Sequence, residues 1–311
     1  MNLHIIRAMR LINARQLGLP SADFLAALDD ADLSRALAEL LSRRGRAAAR
    51  SAAVTVANGM SAAVAAGYIL TPHAMTPYVT ASSSAMASIA ADGASVSAIA
   101  ASSSAMTIIA ASSIAMAAFA ASSSAMGIIA ASSIAMLAVL SSGISISAIK
   151  AVPAALAAIT GSAALTKASV PKMTSNTSFS GVASASSWYF EEFSSWKAFD
   201  GTGVASYWSA ADFAGASGEW IQYSFPGEAF IHSASIRTYP SPYNPTSVGI
   251  WHSDDGVVFT LAGECPVVAE PINTLRILTP GFHKHWRLVV KATDGAFPAL
   301  HELQFTGFVK P

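Results

Sequence analysis

Histidines, carboxylates and one cysteine are the side chains of this 311-residue sequence that could do chemistry. His283 and His285 are separated by one residue, so on a strand they would share a face and could bind a metal ion, but no third ligand accompanies them. Asp254 and Asp255 lie in a Ser-x-Asp-Gly turn, where carboxylates accept backbone N–H groups, and Cys265 precedes a proline without a histidine partner. The sequence contains no nucleotide-binding loop, no GxSxG elbow and no HExxH motif. We therefore predict that the protein is not an enzyme.

Charge is distributed unevenly along the chain. The 18 basic and 18 acidic residues give a formal net charge of zero, which argues against a general nucleic-acid-binding protein. Residues 51–149 contain a single formal charge, Asp92, and a single cysteine in the whole chain excludes a disulfide framework. The composition predicts four segments: a helical anchor over 1–60, a repetitive shaft over 61–150, a connector over 151–175 and a separate domain over 176–311.

The uncharged stretch is not predicted to insert into a membrane. It consists largely of Ala, Ser and Met, and serine recurs every few residues, so no window offers about 20 strongly apolar positions. Near the N-terminus, Arg7, Arg10 and Arg15 stand where a secretory signal peptide would have its apolar run. A packed, uncharged fibre interior explains the stretch better than a bilayer does.

The N-terminal segment has the apolar spacing of helices. Residues 20–44 place leucine and phenylalanine three or four positions apart, Ser21 can cap a first helix, and Asp30 or Asp32 can cap a second. Arginines follow where the C-terminal end of a helix favours cations, at Arg43, Arg44 and Arg46. The segment is either a small helical cap over the end of the fibre or an anchor that docks onto a larger assembly.

Residues 81–150 consist of seven consecutive ten-residue units without insertion. The sixth position of every unit is large and apolar, and so is the ninth. These positions hold Met86, Val96, Met106, Met116, Met126, Met136 and Ile146, and Ile89, Ile99, Ile109, Phe119, Ile129, Val139 and Ile149. One unit is too small to bury such side chains, so neighbouring units or neighbouring chains must cover them, and the repeat predicts an extended element.

Two secondary structures remain open for this shaft. Ten is an even number, so strand alternation would stay in phase and place the fourth, sixth and eighth positions on one face. If successive units ran antiparallel, Ile108 would face Ile114 and Ser104 would face Ala118, which fits a β-solenoid or interwoven β chains. A helix is the alternative, but ten residues over three turns would be strongly overwound. We favour β over α, and three chains in contact through their ninth positions would form a homotrimer.

Units of the form Ser-Ser-x-Ala-Met-x-x-Ile/Val-Ala resemble the shafts of tailed-bacteriophage fibre proteins. The likeness covers residues 81–150, and the second unit, ADGASVSAIA, departs from it by losing the paired serines and the methionine. The resemblance implies a fibre or spike protein of a virion, an extracellular particle, in which residues 1–60 contact other virion proteins.

Tryptophan occurs only in the C-terminal part, where all six residues lie at or beyond Trp188. Short stretches with strand-like alternation recur there about every ten residues between turn signals, as is typical of an all-β sandwich. The predicted strands cover 219–225, 230–239, 247–253, 285–292 and 301–308.

Five short motifs in this part follow one another in an order that resembles a discoidin domain, also called the coagulation factor 5/8 type C family. They are KAFDGTGVASYW (197–208), GEWIQYSF (218–225), WHSDDGVVFT (251–260), HWRLVV (285–290) and PALHELQFTG (298–307). The resemblance implies an eight-stranded jelly roll of the galactose-binding type over 176–311, with Trp208, Trp220 and Trp286 in its core. It also implies adhesion through loops at one end.

A glycan of a host surface is the ligand that this resemblance implies, bound by flat aromatic faces and a few fixed polar groups. The aromatic candidates are Trp188, Tyr189 and Phe190, in a segment that forms an exposed loop in the family, and Tyr239 and Tyr243, which flank the proline-rich loop TYPSPYNPTS. The polar candidates are Arg237, His252 and His283. A structural decoration protein without sugar binding and a carbohydrate-binding module of an enzyme system are the alternative functions.

A structural calcium ion near the Asp-Gly loop is also implied by the resemblance. Asp200 and Glu302 occupy the matching motif positions, and carboxylate oxygens suit this ion. Thr202 and Gly203 stand where a further acid or amide is common in the family, so the ligand set departs from the family pattern. The alternative is that Asp200 only closes an Asp-Gly turn.

Overall fold

The computed structural model describes residues 53–178, 181–211, 218–268, 272–277, 279, 281–295 and 297–311. The chain divides into two units between Ala164 and Leu165. Residues 1–52, with the helices predicted around Ser21 and the arginines that follow them, lie outside the described residues.

The N-terminal unit consists of short α-helices. Residues 53–58 are helical. Ten helices follow: α1 Ala62–Leu70, α2 Thr76–Thr80, α3 Ser83–Ala91, α4 Gly93–Ala100, α5 Ser103–Ala110, α6 Ser113–Ala121, α7 Ser123–Ala131, α8 Ser133–Leu140, α9 Gly143–Lys150 and α10 Pro153–Thr160. Every ten-residue unit of the repeat forms one helix of eight or nine residues. The prediction of a β shaft is therefore wrong, since residues 53–160, all of them described, contain no strand.

The paired serines mark where one helix stops and the next begins. The first serine of a pair is the N-cap, with an extended backbone, and its Oγ accepts a hydrogen bond from the N–H three residues later, as Ser132 does from Ala135 at 3.2 Å. In the divergent second unit Asp92 takes this place and accepts from Ser95 N at 3.0 Å. Both residue types satisfy N–H groups that a helix start leaves without a partner. Each ten-residue unit thus forms one complete short helix, and no helix has to be overwound to fit the repeat.

Three units make one turn of a helical solenoid. Axes of successive helices are bent by 107° between α4 and α5, by 102° between α6 and α7 and by 95° between α8 and α9. From α3 onward, each helix then stacks on the helix three further along, in the columns α3–α6–α9, α4–α7–α10 and α5–α8. Four N-cap serines of the repeat join the turns, because each of the four donates to a carbonyl 32 residues earlier. The pairs are Ser112 to Thr80, Ser122 to Ala90, Ser132 to Ala100 and Ser142 to Ala110.

Within the described residues, no single helix has the length and apolar character needed to cross a membrane. Three pairs of helices reach that length and composition only when the two members are added together across a sharp bend. They are the pairs α4 with α5, α6 with α7, and α8 with α9.

The fifth, sixth, ninth and tenth positions of the units form the core of the solenoid, except for the exposed Lys150 at the tenth position of the last unit. In α7 these positions include Ala125, Met126 and Ile129, which are fully buried. The large apolar side chains are thus covered by neighbouring units of the same chain, and the ninth position is not available for contact with another chain. The expected facing of Ile108 and Ile114 does not occur either, because their helices are successive sides of the solenoid rather than antiparallel strands.

The C-terminal unit is built from antiparallel β-strands. They are β1 Lys167–Ser169, β2 Val182–Ala185, β3 Trp208–Ser209, β4 Trp220–Thr238, β5 Pro245–Ser253, β6 Thr260–Pro266, β7 Asn273–Arg276, β8 His283–Thr293 and β9 Ala299–Val309. Strands pair in the order β1-β9-β4-β8-β5-β6, while β2 and β7 pair with β4 and β3 pairs with β9. A register shift between Ser224 and Ala229 divides β4, and its first half pairs with β2 and β8 whereas its second half pairs with β7 and β9. This arrangement is compatible with a jelly roll.

Alternating apolar side chains form the core between the sheet layers. Trp208 and Trp286 are fully buried, as predicted. Trp220 was predicted to be a core residue and is not, since it is only half-buried and packs against a guanidinium group on the outer side of the sheet. Helix α10 and strand β1 lie within the segment predicted as a connector.

Candidate functional site

Six aromatic side chains form a closed circuit at one end of the C-terminal unit, which we call the aromatic end. The ring centroids lie 5.9 Å apart for Tyr189 and Phe297, 4.6 Å for Phe297 and Tyr243, and 5.9 Å for Tyr243 and Tyr239. The circuit continues from Tyr239 to Tyr207 at 4.4 Å, from Tyr207 to Phe193 at 4.8 Å, and from Phe193 back to Tyr189 at 6.4 Å. Side chains from four separate chain segments thus make one continuous aromatic surface.

Backbone hydrogen bonds to β3 and β9 hold these segments together. Tyr189 N donates to the carbonyl of Ser209 in β3 at 3.0 Å. Ala299 N, at the start of β9, donates to the carbonyl of Tyr243 at 2.9 Å, and Tyr239 N donates to the carbonyl of Ala299 at 3.1 Å. Because β3 and β9 also pair with each other, the aromatic segments are fixed to one rigid corner of the sheet.

The rim of the circuit is open to solvent. Trp188 is 37% exposed, Tyr189 38% and Phe190 57%, which is unusual for neighbouring large apolar side chains. Beneath the rim, the ring of His301 stacks on Tyr239 at 4.9 Å, and its Nδ1 donates to the carbonyl of Ser206 at 3.0 Å. The arrangement therefore combines exposed ring faces with a fixed, buried support.

Buried polar atoms without a hydrogen-bond partner concentrate around the aromatic end. Six such side-chain atoms occur in the described part of the chain, and four belong to Ser194, Arg237, Thr238 and Asn244. Burial and the neighbouring Tyr239 also raise the pKa of Tyr207, so its hydroxyl stays protonated. Buried polar groups are normally paired, so each of these atoms is a place where an internal water molecule can supply the missing hydrogen bond.

The predicted site residues fall at two opposite ends of the unit. The structure brings Trp188, Tyr189, Phe190, Arg237, Tyr239 and Tyr243 to the aromatic end. His252 and His283 lie at the other end of β5 and β8, near the Ser253–His285 pair, whereas the aromatic end adjoins the Pro245–Thr293 pair. Eight residues of extended strand separate the two pairs, or about 26 Å at 3.3 Å per residue. The two histidines thus cannot join the aromatic residues in one site.

Sequence reasoning missed four members of the aromatic end. They are Phe193, Tyr207, Phe297 and His301. Phe193 follows Phe190 by three residues in the aromatic-rich stretch WYFEEF, so the sequence itself could have indicated that it belongs to the site. Tyr207, Phe297 and His301 come from distant segments, and only the pairing of β3 with β9 brings them near the others.

The two histidines at the opposite end stack on each other. Their ring centroids are 3.7 Å apart, and His283 Nδ1 lies 2.8 Å from Asp254 Oδ1. Asp255 closes the adjoining turn by accepting from Val257 N and Val258 N, which lowers the pKa of its carboxyl to about 2. Across the described ranges, no three His, Cys, Asp or Glu residues are arranged to hold a metal ion.

We expect the protein to lose stability as the pH falls from 6.5 to about 4. Burial, together with the neighbouring His283, lowers the pKa of His252 to about 4, whereas in the unfolded chain this histidine has its ordinary pKa of 6.5. The unfolded chain therefore binds a proton here more readily than the folded protein does. The stabilisation from neutral His252 is present in full above pH 6.5 and is lost as the pH falls to about 4. Thermal unfolding between pH 7.5 and 4 should show a shallower decline for His252→Gln than for the wild type. Equal slopes would contradict this assignment, although burial of His232 adds a parallel decline in both proteins.

Asp200 lies in an oxygen-rich cluster beside the aromatic end. Its Oδ1 accepts from Thr202 N at 2.9 Å and from Thr202 Oγ1 at 2.7 Å, and its Oδ2 accepts from the Ser206 hydroxyl. Glu302, the second predicted calcium ligand, accepts instead from Gln304 Nε2 at 3.2 Å. The Asp200 oxygens are of the type that calcium prefers, with one carboxylate and several neutral donors.

This chain is similar to several solved structures, each over less than half of its length. A family 32 carbohydrate-binding module of NanJ from Clostridium perfringens, in complex with galactose, is 18% identical, with a TM-score of 0.38, over 45% of this chain and 98% of that one. A chitosan-binding module from a Paenibacillus chitosanase/glucanase is 20% identical, with a TM-score of 0.37, over 43% and 99%. An F5/8 type C domain of a Bacteroides fragilis protein is 17% identical, with a TM-score of 0.37, over 42% and 93%. No protein-family model and no curated protein matches the chain.

Proposed function

We propose that the C-terminal unit binds a glycan at the aromatic end, without catalysis. The closed circuit of six rings, with Trp188 and Phe190 exposed on its rim, carries this proposal. Sugar rings present C–H groups that pack on aromatic faces, and their hydroxyls need a few fixed polar partners. The tyrosine hydroxyls and the guanidinium of Arg237, near the end of strand β4, supply such partners.

Two substitutions test the glycan site. We expect Tyr243→Ala and Phe190→Ala each to weaken glycan binding about tenfold, because each removes an aromatic contact face at the centre or rim of the site. Val257→Ala is the matched control, since this side chain is 81% exposed at the opposite end of the unit. A glycan array with the full chain would identify the ligand, and titration calorimetry would compare the variants. The proposal fails if no glycan binds, or if Val257→Ala is as damaging as the other two.

A calcium ion at the Asp200 cluster remains part of the proposal. Asp200, Thr202 and Ser206 would hold it with the carbonyl of Lys197, which lies 3.5 Å from Ser206 Oγ. The ion would supply positive charge that fixes the loop supporting the aromatic end. We expect calcium, more than magnesium, to raise the melting temperature of the full chain, and Asp200→Asn to abolish the increase. An increase that persists in Asp200→Asn would place the ion elsewhere.

We also propose that the solenoid displays the glycan-binding unit on a virion fibre that attaches to a host surface. This role, the contact of residues 1–60 with other virion proteins, and the homotrimer rest on the resemblance of the repeat to phage fibre shafts. A trimer would have to use exposed positions, such as Ile114, Ile134 and Ile144 at 39%, 41% and 43% exposure, instead of the buried ninth positions. A decoration protein without sugar binding is the competing function, and the glycan array distinguishes the two.

A further inference from the structure

The outer face of the sheet formed by β4, β8 and β5 carries a second set of aromatic and polar side chains. Residues opposite one another in the strand ladder form three rows on this face. The rows are Trp220, Val289 and Gly249; then Gln222, Arg287 and Trp251; then Ser224, His285 and Ser253. Residues of the alternate register, such as Trp286, Leu288 and Ile250, point inward and are fully buried. We call these three rows the outer face.

Gly249 makes room for a tryptophan to lie across the outer face. A Cβ at this position would come within 2.9 Å of Trp251 Nε1, so only glycine allows the indole to approach the strand this closely. The indole Nε1 is buried without a hydrogen-bond partner. Trp251 thus presents a flat aromatic surface beside the centre of the outer face.

Arg287 occupies the centre of the outer face between two aromatic rings. Its Cζ lies 3.8 Å from the centroid of Trp220 and 3.6 Å from the centroid of Phe259. Its Nε and Nη2 both donate to Gln222 Oε1, at 3.1 and 2.9 Å. The guanidinium of Arg287 is therefore held in a fixed position, and its Nε–Nη2 edge is hydrogen-bonded to the neutral amide of Gln222.

No carboxylate neutralises Arg287 among the residues that the structure describes. Glu264, on the neighbouring strand β6, pairs with Lys291. Glu219, next to Trp220 in sequence, accepts from the hydroxyls of Ser186 and Ser187. The two aromatic neighbours partly remove the charge of Arg287 from water. An anion from outside the chain can therefore pair with this guanidinium.

A chain of hydrogen bonds continues from this cation across the outer face. Gln222 Nε2 donates to Ser224 Oγ at 2.9 Å, and Ser224 Oγ lies 2.8 Å from His285 Nδ1. Gln222 is buried, whereas Ser224 and His285 are half-buried and can exchange hydrogen bonds with hydroxyls of a ligand that extends along the strands. The outer face thus offers a flat indole, a fixed fork of N–H donors and a row of neutral polar groups.

We propose that the outer face is a second glycan site, selective for saccharides that carry a carboxylate. The carboxylate accepts hydrogen bonds from the uncommitted edge of Arg287, and an adjoining sugar ring packs on Trp251. The site is separate from the aromatic end and uses none of its residues. The ligands proposed for the outer face also differ from those of the aromatic end, because they carry a carboxylate that the guanidinium of Arg287 binds.

Titration calorimetry of the full chain with trigalacturonate tests this proposal, with its methyl ester as the neutral match and sialyllactose as a second carboxylated sugar. We expect at least one acidic saccharide to bind, with affinity that falls at high salt, and no comparable binding of the ester. Arg287→Lys should weaken binding about tenfold, because lysine keeps the charge but loses the planar fork. Lys291→Ala, on the same face of the same strand, should leave binding unchanged.

Gln222→Glu provides a variant that should remain folded. The new carboxylate would pair with Arg287 in place of the amide, so we expect equal or higher stability together with loss of acidic saccharide binding. Binding that survives Gln222→Glu or Arg287→Lys, or equal losses in Lys291→Ala, would overturn the proposal, as would the absence of binding by both acidic sugars. Tyr243→Ala should not affect this binding, so failure here is distinguishable from failure of the site at the aromatic end.

Discussion

Gly307→Ala is expected to prevent the C-terminal unit from folding, or to destabilise it by more than about 4 kcal/mol. A Cβ at Gly307 would lie 1.8 Å from the carbonyl oxygen of Phe230 and 2.9 Å from Ile231 Cα. Both contacts are with backbone, so no side-chain rotation can relieve them. Separation of β9 from β4 is the only relief, and it would expose Leu303 and Phe305, which are fully buried.

Tryptophan fluorescence during urea unfolding measures this effect directly, because all six tryptophans lie in the C-terminal unit. Gly263→Ala is the matched control in strand β6, since the nearest atom to its added Cβ is 3.9 Å away. We expect that control to change the free energy of unfolding by less than about 1 kcal/mol. A Gly307→Ala protein with the unfolding midpoint of the wild type would show that β4 and β9 do not approach as described.

Replacing the three N-cap serines Ser112, Ser122 and Ser132 with alanine is expected to cost the solenoid roughly 6 kcal/mol. Each hydroxyl accepts from the N–H of its own helix at 3.2 Å and donates to a carbonyl of the preceding turn at 2.7–2.9 Å. Loss of a cap costs about 1 kcal/mol, and the abandoned carbonyl adds about as much again. The three sites share no partner, so the effects should add.

Circular dichroism at the helical minimum during thermal unfolding would report this loss, while tryptophan fluorescence should be unchanged. The neighbouring serines Ser113, Ser123 and Ser133 provide the control, since each is the exposed first residue of its helix. Their triple replacement by alanine should be nearly neutral. Equal losses in both triple variants would mean that serine composition, rather than capping between turns, stabilises the solenoid.

The repeat sequence predicted which side chains are buried but not the structure that buries them. Met126 and Ile129, at the sixth and ninth positions, are covered by neighbouring units as expected. Strands were favoured because one continuous helix with a period of ten would be overwound. The serine pairs are in fact helix-start signals, and a new helix at every Ser-Ser removes that constraint. Whether a polar pair bends a strand or caps a helix depends on contacts 32 residues away, such as Ser132 with Ala100.

In the C-terminal unit, local alternation predicted the long strands and missed the short ones. Strands β5, β8 and β9 contain their predicted ranges, and β4 covers the other two except for one residue at each end and joins them through its irregular middle. Strand β3 has two residues, Trp208 and Ser209, which is too few for any periodic signal. Strand β3 places Tyr207 in the aromatic end. Because the sequence gives no signal for so short a strand, it also gave no signal for Tyr207.

The three-unit turn makes the solenoid adjustable in discrete steps. Gain or loss of ten residues would rotate the last helix by about a third of a revolution, while a change of thirty would restore its heading. Because stacked helices are separated by about 8–10 Å, thirty residues would add about that much length. A gene that gains or loses thirty-residue blocks could thus change the length of the solenoid and keep the heading of its last helix, whereas a ten-residue change alters both.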